Sequence, residues 1–256
     1  MARPEGRRRA SAEKTRPSAF WPLAGIVVPI VSLYAKIRIV GAEKLPMEGP
    51  YVVAPNHYSE FDALVVAVAV WRVGRAPSFM AKESLFRVPV LGAALRATGM
   101  IPVARSSSAA AAKQTLETSE LLVERGRGVI VYPEGTLTRD PGLWPMRGKT
   151  GAVRLALAGG IPLIPVAQWG AQEIMPRYGK LRLWPRRRTV TLVFGDPVDI
   201  DEFRGDPTPP AALVKATARL MDVLTAMLAD IRGEQAPSER WDPASHNQKE
   251  TGRFES

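Results

Sequence analysis

The chain reads as an α/β protein: a single domain with a central, mostly parallel sheet flanked by helices, preceded by an N-terminal apolar, membrane-anchoring helical segment. Three observations predict this. Apolar runs of strand length recur at Tyr51-Val52-Val53-Ala54, Val129-Ile130-Val131-Tyr132 and Leu163-Ile164-Pro165-Val166-Ala167. Helical stretches separate them, several closed by glycine at Gly74, Gly126 and Gly159-Gly160, and repeated βα units share one sheet. The 256 residues, 46% hydrophobic and 23% charged, suffice for a full core, with no internal repeat or second domain in view.

In chain order, residues 1–17 form a basic arm, with Arg3, Arg7, Arg8, Arg9, Lys14 and Arg16 against Glu5 and Glu13. Residues 18–36 carry the apolar segment, uncharged from Ser18 to Ala35. That is short for a span, which needs about 20 apolar residues, and Pro22 and Pro29 interrupt it. A signal peptide is the competing reading, but Ser32-Leu33-Tyr34 offers no small-x-small cleavage site. A buried core helix is a third. The preferred expectation is a retained interfacial or re-entrant anchor, with Trp21 and Tyr34 at its ends.

The α/β region then runs over 37–232. Its helices are expected at Asp62–Trp71, Ser84–Ala97 with a bend at Pro89, Ser108–Arg125, Thr150–Ala158 and Pro210–Ile231. Short strands are expected at Ser78–Ala81 and Ile101–Ala104. Pro165 within a strand points to an edge or a bulge. Lys180–Trp184 and Thr189–Phe194 alternate like the arms of a half-exposed hairpin. Residues 233–256 are polar, lack periodicity and read as a disordered tail.

Composition narrows the chemistry. The absence of cysteine excludes disulfides, thiolate zinc sites and a cysteine nucleophile, and two histidines argue against a His-rich metal site. A net charge of +10 and a pI near 10.2 imply an anionic partner: nucleic acid, acidic lipid or a phosphorylated substrate. No nucleic-acid recognition motif is present. The run Arg177, Lys180, Arg182, Arg186, Arg187 and Arg188 contains no acid, and suits either an anionic leaflet or a solvated surface.

The richest stretch is Pro55-Asn56-His57-Tyr58-Ser59-Glu60-Phe61-Asp62. Histidine titrates nearest neutrality and is the first candidate for a general base. On one continuous helix His57 and Asp62 would point about 140° apart, so they meet only if His57 lies in the loop and Asp62 in the first helical turn. Ser59-x-x-Asp62 also reads as a capping box. Both readings stand on spacing alone. Pro133-Glu134-Gly135-Thr136, straight after an apolar strand, falls where α/β proteins place binding residues, or is an ordinary tight turn. Arg105, closing Gly99-Met100-Ile101-Pro102-Val103-Ala104-Arg105, offers a fork of donors for phosphate or carboxylate, or is a surface cation. Gly142–Thr150 resembles a phosphate-binding loop, but five residues separate its glycines and no strand precedes it. Arg147 and Lys149 are there an anion-binding rim or a solvated helix start.

Taken together and in order, Asn56-His57-x4-Asp62, Gly99-x-Ile101-Pro102-Val103-x-Arg105, Pro133-Glu134-Gly135-Thr136 and Ile161-Pro162-Leu163-Ile164-Pro165-Val166 resemble the four ordered blocks of the glycerolipid acyltransferase family, the lysophosphatidic acid acyltransferase group. The resemblance implies acyl transfer from a thioester, acyl-CoA or acyl carrier protein, to a hydroxyl of a lysolipid. His57 would be the base and Asp62 its orienting carboxylate. Asn56, Arg105, Glu134, Gly135 and Thr136 would bind the acceptor, with Pro165 shaping the pocket and Lys149 on its rim. The arginine that often follows the family's threonine is Leu137 here, and Arg139 is its nearest replacement. The resemblance implies no cofactor, no metal and no nucleic-acid partner, and an enzyme on the cytoplasmic face of the cell membrane, held to an anionic surface. The departure at Leu137 keeps another lysolipid or a glycolipid open as acceptor. A non-catalytic basic module binding anionic lipid is the alternative of another class.

Overall fold

The computed structural model describes residues 10–15, 20–103, 108–182, 184, 187–205 and 207–249. Helix α1 is Ala12–Thr15 and α2 is Phe20–Tyr34; the chain then passes into strand β1, Ala35–Val40. Next come β2 Tyr51–Pro55, α3 Asp62–Val73, β3 Met80–Lys82, α4 Pro89–Ala97, β4 Ile101–Val103, α5 Ser108–Arg125 and β5 Gly128–Ile130. The second half holds α6 Gly151–Gly159, β6 Leu163–Trp169, α7 Ala171–Ile174, β7 Arg188–Phe194 and α8 Pro210–Arg232.

The main sheet has the order β1-β7-β6-β2-β5. Its pairs are parallel except β6 with β7. Strands β3 and β4 pair in parallel beyond β5, joined to it by a bridge from Phe79 to Ile130. Strand β2 is buried along its whole length and divides two cores, because successive strand residues face opposite sides. Tyr51 and Val53 pack with α3, Ile130 and Ile164; Val52 and Ala54 pack with Val129, Leu163, α6 and α8. Gly128 must lack a side chain, since a Cβ there would lie 1.9 Å from the Tyr51 ring.

Several expectations change against these coordinates. Strand β6 is central, not an edge. The Pro165 carbonyl accepts the Gly195 N–H at 2.9 Å, and the β7 ladder runs from Val166, so the donor that proline lacks falls at the very end of that pairing. The hairpin is replaced by a different pairing. Both sides of β7 are taken, by β6 and β1, which leaves no edge for residues 180–184. β7 does keep the expected alternation, with Val190, Leu192 and Phe194 buried. Strand β1 adds an edge not read from the sequence, with Lys36 and Arg38 exposed along it, as edge strands commonly are guarded. The stretch 84–97 is two pieces, a 3-10 turn Glu83–Arg87 and then α4. Val88 is extended (ψ 120°) because the residue before a proline avoids the helical region.

The chain after α8 also turns back onto the domain instead of leaving it. The Trp241 carbonyl accepts the Arg147 N–H at 2.9 Å, Arg240 pairs with Asp222 at 2.6 Å and Trp241 stacks on His246. At the other end α2 lies along α3, with Phe20 and Trp21 against Trp71, and helical geometry continues through Pro29. Among the described residues, no helix is long and apolar enough to cross a membrane.

Candidate active site

The site lies beyond the carboxyl ends of β2 and β5. Strand β2 delivers Asn56 and His57 into a loop, and Asp62 opens α3, as the helix-start argument requires. Asp62 is fully buried, while 18% of the His57 side chain is exposed. His57 Nδ1 lies 3.1 Å from Asp62 Oδ2. That same oxygen accepts the backbone N–H groups of Tyr58 at 2.8 Å and Ser59 at 3.0 Å. The bond from Ser59 N–H is the one a capping box makes, set here in the turn ahead of α3, whose own N-cap, Phe61, has no side-chain cap bond. Ser59 Oγ accepts from Phe61 N–H at 3.1 Å and donates to the Met175 carbonyl at 2.6 Å. The capping and orienting readings therefore do not compete, since one oxygen serves both. Burial pushes the Asp62 carboxyl above its ordinary range, opposed by His57 and the two amides.

Glu134 fixes the histidine from the other side. Its Oε1 accepts the His57 backbone N–H at 2.9 Å and its Oε2 the Met146 N–H at 3.1 Å. The His57 carbonyl accepts the Thr138 N–H at 2.7 Å. Both ends of the residue are thereby tied to the 133–140 turn, whose Gly135 (φ 69°) occupies the left-handed region that favours glycine. Glu134 is itself fully buried. Burial raises its pKa from 4.5 to about 8, against the pull of the amides that bond it.

The remaining expected residues divide. Asn56 is buried and clamped to β6: its Oδ1 accepts the Gln168 N–H at 2.9 Å and its Nδ2 donates to the Gln168 carbonyl at 3.2 Å. Asn56 thus ties the start of the loop to the β6 backbone, as Glu134 ties the loop to the 133–146 segment. Arg139 is buried, donating to the Tyr178 hydroxyl at 3.2 Å. Leu137 points into the interior. Pro165 is buried in β6, while Gly135 and Lys149 are exposed and Thr136 half-buried. The Lys149 stem runs over Gly135, with its Cδ 3.1 Å from where a Cβ would stand. Arg105 lies outside the described residues.

With this geometry in place, comparison with known proteins is informative. The family model described as Acyltransferase matches residues 36–169, more than half of the chain. The chain belongs to the acyltransferase family. The matched span contains His57, Asp62, Glu134 and all of β6. Among curated relatives of this acyltransferase-family chain, the chloroplastic 1-acyl-sn-glycerol-3-phosphate acyltransferase BAT2 of Brassica napus is 33% identical over 152 residues, 57% of this chain and 41% of its own. The 1-acyl-sn-glycerol-3-phosphate acyltransferase of Bacillus subtilis is 27% identical over 179 residues, 70% of this chain and 82% of its own. The chain spans 41% and 61% of two plant relatives that it matches. In fold it resembles the crystal structure of the 1-acyl-sn-glycerophosphate (LPA) acyltransferase PlsC from Thermotoga maritima, with a TM-score of 0.60 and 22% identity over 84% of this chain and 80% of that one.

Two cavities lie near the candidate site. An apolar one of about 220 Å³ lies between α2 and α3, lined by Phe20, Val27, Leu64, Val68, Trp71 and Met100 among others. It begins at Ala63 and Leu64, directly after Asp62. A cationic one of about 360 Å³, with Arg147, Lys149, Thr150 and Arg240 on its walls, reaches Glu134. Among the described residues, no cluster of three or more His, Cys, Asp or Glu side chains is placed to hold a metal ion.

Sequence reasoning missed Tyr132 and Gln168, and read Arg177 only as part of a surface basic run. Tyr132 stacks on the His57 ring. Arg177 binds the Thr138 and Asp140 carbonyls. Gln168 carried a legible signal, a polar residue inside an otherwise apolar strand. Tyr132 passed as one more apolar strand residue.

Proposed function

We propose that this protein transfers a fatty acyl group from a thioester, acyl-CoA or acyl carrier protein, to the free hydroxyl of lysophosphatidic acid, giving phosphatidic acid. The observation that carries this is the His57 Nδ1 to Asp62 Oδ2 contact of 3.1 Å to a fully buried carboxylate. With Nδ1–H donating to Asp62, the lone pair stands on Nε2, the tautomer a general base needs. Nε2 takes the proton as the acceptor hydroxyl attacks the thioester carbonyl carbon. The tetrahedral intermediate then collapses, the carbon–sulfur bond breaks, and the imidazolium returns its proton to the thiolate. A positioned base contributes about 10²–10⁴-fold, and Asp62 stabilises the cation that forms. The reaction class and acceptor are supported by the family and by the curated names of the relatives.

The apolar cavity between α2 and α3, which starts from the same helix as Asp62, supports a place for the acyl chain. The cationic cavity at Arg147, Lys149 and Arg240 supports a place for an acceptor phosphate. The outer face of α2, with Ile26, Ile30 and Leu33 exposed, supports an interfacial helix rather than a spanning one. Together with the net charge of +10 it favours an anionic cytoplasmic leaflet. One observation favours a second acceptor: Leu137, in place of arginine, is buried, so a lysolipid with another headgroup, or a glycolipid, remains a partner for the same chemistry.

The test is thiol release by the purified full chain, with acyl-CoA and acyl carrier protein as donors and a panel of lysolipid and glycolipid acceptors. We expect turnover with lysophosphatidic acid, and its loss by about 10²-fold or more in His57→Ala with the fold retained. Unchanged turnover in His57→Ala removes the assigned base. No thiol release with any pair leaves the basic lipid-binding module as the reading.

A further inference from the structure

The base is held at its edge by Asp62, and one of its faces is covered by a residue that the reaction scheme above does not use. Tyr132 lies two residues past the end of β5, just before Pro133-Glu134. Its ring lies against the His57 imidazole with centroids 4.1 Å apart and planes at 27°. Its hydroxyl is buried with no hydrogen-bond partner among the described residues, and so is Asp62 Oδ1. Burial, and then the Asp62 charge, keep the hydroxyl protonated well above its ordinary range. What Tyr132 presents to His57 is therefore a neutral aromatic face.

The negative face of an aromatic ring attracts a cation stacked on it, and His57 becomes a cation only while it holds the acceptor's proton. We propose that Tyr132 is a positioning residue for the His57–Asp62 pair, its ring holding the imidazole plane and favouring the imidazolium formed during acyl transfer. This rests on His57 being the base. The ring, not the hydroxyl, carries the effect. Of the other titratable groups, Asp62 meets the imidazole at Nδ1, Glu134 accepts the His57 backbone N–H, and the buried Tyr58 hydroxyl accepts from the Ala171 N–H at 3.4 Å. All of these stay unchanged when Tyr132 is substituted.

The experiment compares wild type, Tyr132→Phe and Tyr132→Leu in kcat/KM for acyl transfer across pH, with thermal melts of each. Losing the stack makes the imidazolium harder to form. In Tyr132→Leu the acidic limb of the profile should therefore move to lower pH by about half a unit to one unit, and the plateau should fall about 3- to 30-fold. Tyr132→Phe keeps the face and removes an unsatisfied hydroxyl, so it should hold both the limb and the plateau within about 3-fold. A plateau that falls in Tyr132→Leu with the limb in place would mean packing alone and overturn the proposal. Equal losses in Tyr132→Phe and Tyr132→Leu would transfer the role to the hydroxyl and overturn it as well. If Tyr132→Leu does not fold, Tyr132→Phe still decides against the proposal when it loses the plateau. Full activity in His57→Ala instead sinks the general-base reading beneath it, a separate and distinguishable failure.

Discussion

Asp62 is the residue on which two roles converge, and a single substitution separates them. Its Oδ2 receives three donors, His57 Nδ1–H and the amides of Tyr58 and Ser59. Asparagine can put its oxygen in the same place and keep all three bonds, with its nitrogen where Oδ1 already lacks a partner. What asparagine cannot supply is the charge that stabilises an imidazolium. Asp62→Asn should therefore keep a cooperative melt within a few degrees of wild type while kcat/KM falls by about 10²-fold or more. A lowered melting temperature with acyl-transfer rates intact would assign Asp62 to the helix start alone. The pairing was readable as spacing, but spacing left it tied with a capping box. The fold shows one oxygen meeting both the imidazole and the amides of the helix start.

At the scale of elements, the proposed relation to the membrane rests on α2. Phe20 and Val31 are buried toward α3, while Ile26 is 62% exposed and Ile30 52%. Exposed side chains of this size, aligned on one helix, form the kind of apolar patch that marks an interaction surface. The double substitution Ile26→Asp and Ile30→Asp should leave the melt unchanged, since neither side chain contributes to the core. It should sharply reduce co-sedimentation with vesicles containing anionic phospholipid, and lower turnover of vesicle-borne lysolipid more than that of micellar lysolipid. Equal vesicle binding by the variant would take the membrane role away from this face. The helices and buried strands were legible because their patterns are local: α5, α6 and α8 follow glycine stops and amphipathic periodicity, and β2 and β5 are apolar runs. Pairing partners were not, because pairing is decided between distant segments. The alternation of Thr189 to Phe194 identified a half-buried strand but not that β6 and β1 would claim its two edges. In the tail, Arg240, Trp241 and Asp242 find partners on α8 and on the 145–149 loop, which a lack of periodicity in their own segment does not reveal.

For the molecule as a whole, the site imposes a pH dependence on stability opposite to the usual carboxylate case. Glu134 is ordinarily a group of pKa 4.5 and stands at about 8 when folded. Between those values the folded chain holds a proton on it that the unfolded chain has released. Stability changes with pH as the protons bound unfolded minus those bound folded, so the slope is negative across this window. The contribution is complete below about 4.5 and is lost as pH rises through about 8. Asp62, also raised by burial, adds a contribution of the same sign starting from its own ordinary range. Glu134→Gln removes the titration while keeping the shape. It also sets a side-chain N–H against one of the two backbone donors that Glu134 accepts, which lowers stability by an offset that does not depend on pH. Urea unfolding at intervals from pH 4.5 to 8 should show wild-type stability declining relative to Glu134→Gln as pH rises. Both proteins carry the same histidines and the same Asp62, so the difference between the two curves isolates Glu134. Parallel curves would mean that the two amide bonds outweigh burial and keep Glu134 ionised throughout. The carboxylate would then brace the His57 loop as a fixed charge, and the loop's grip on the base would not loosen with pH in this range.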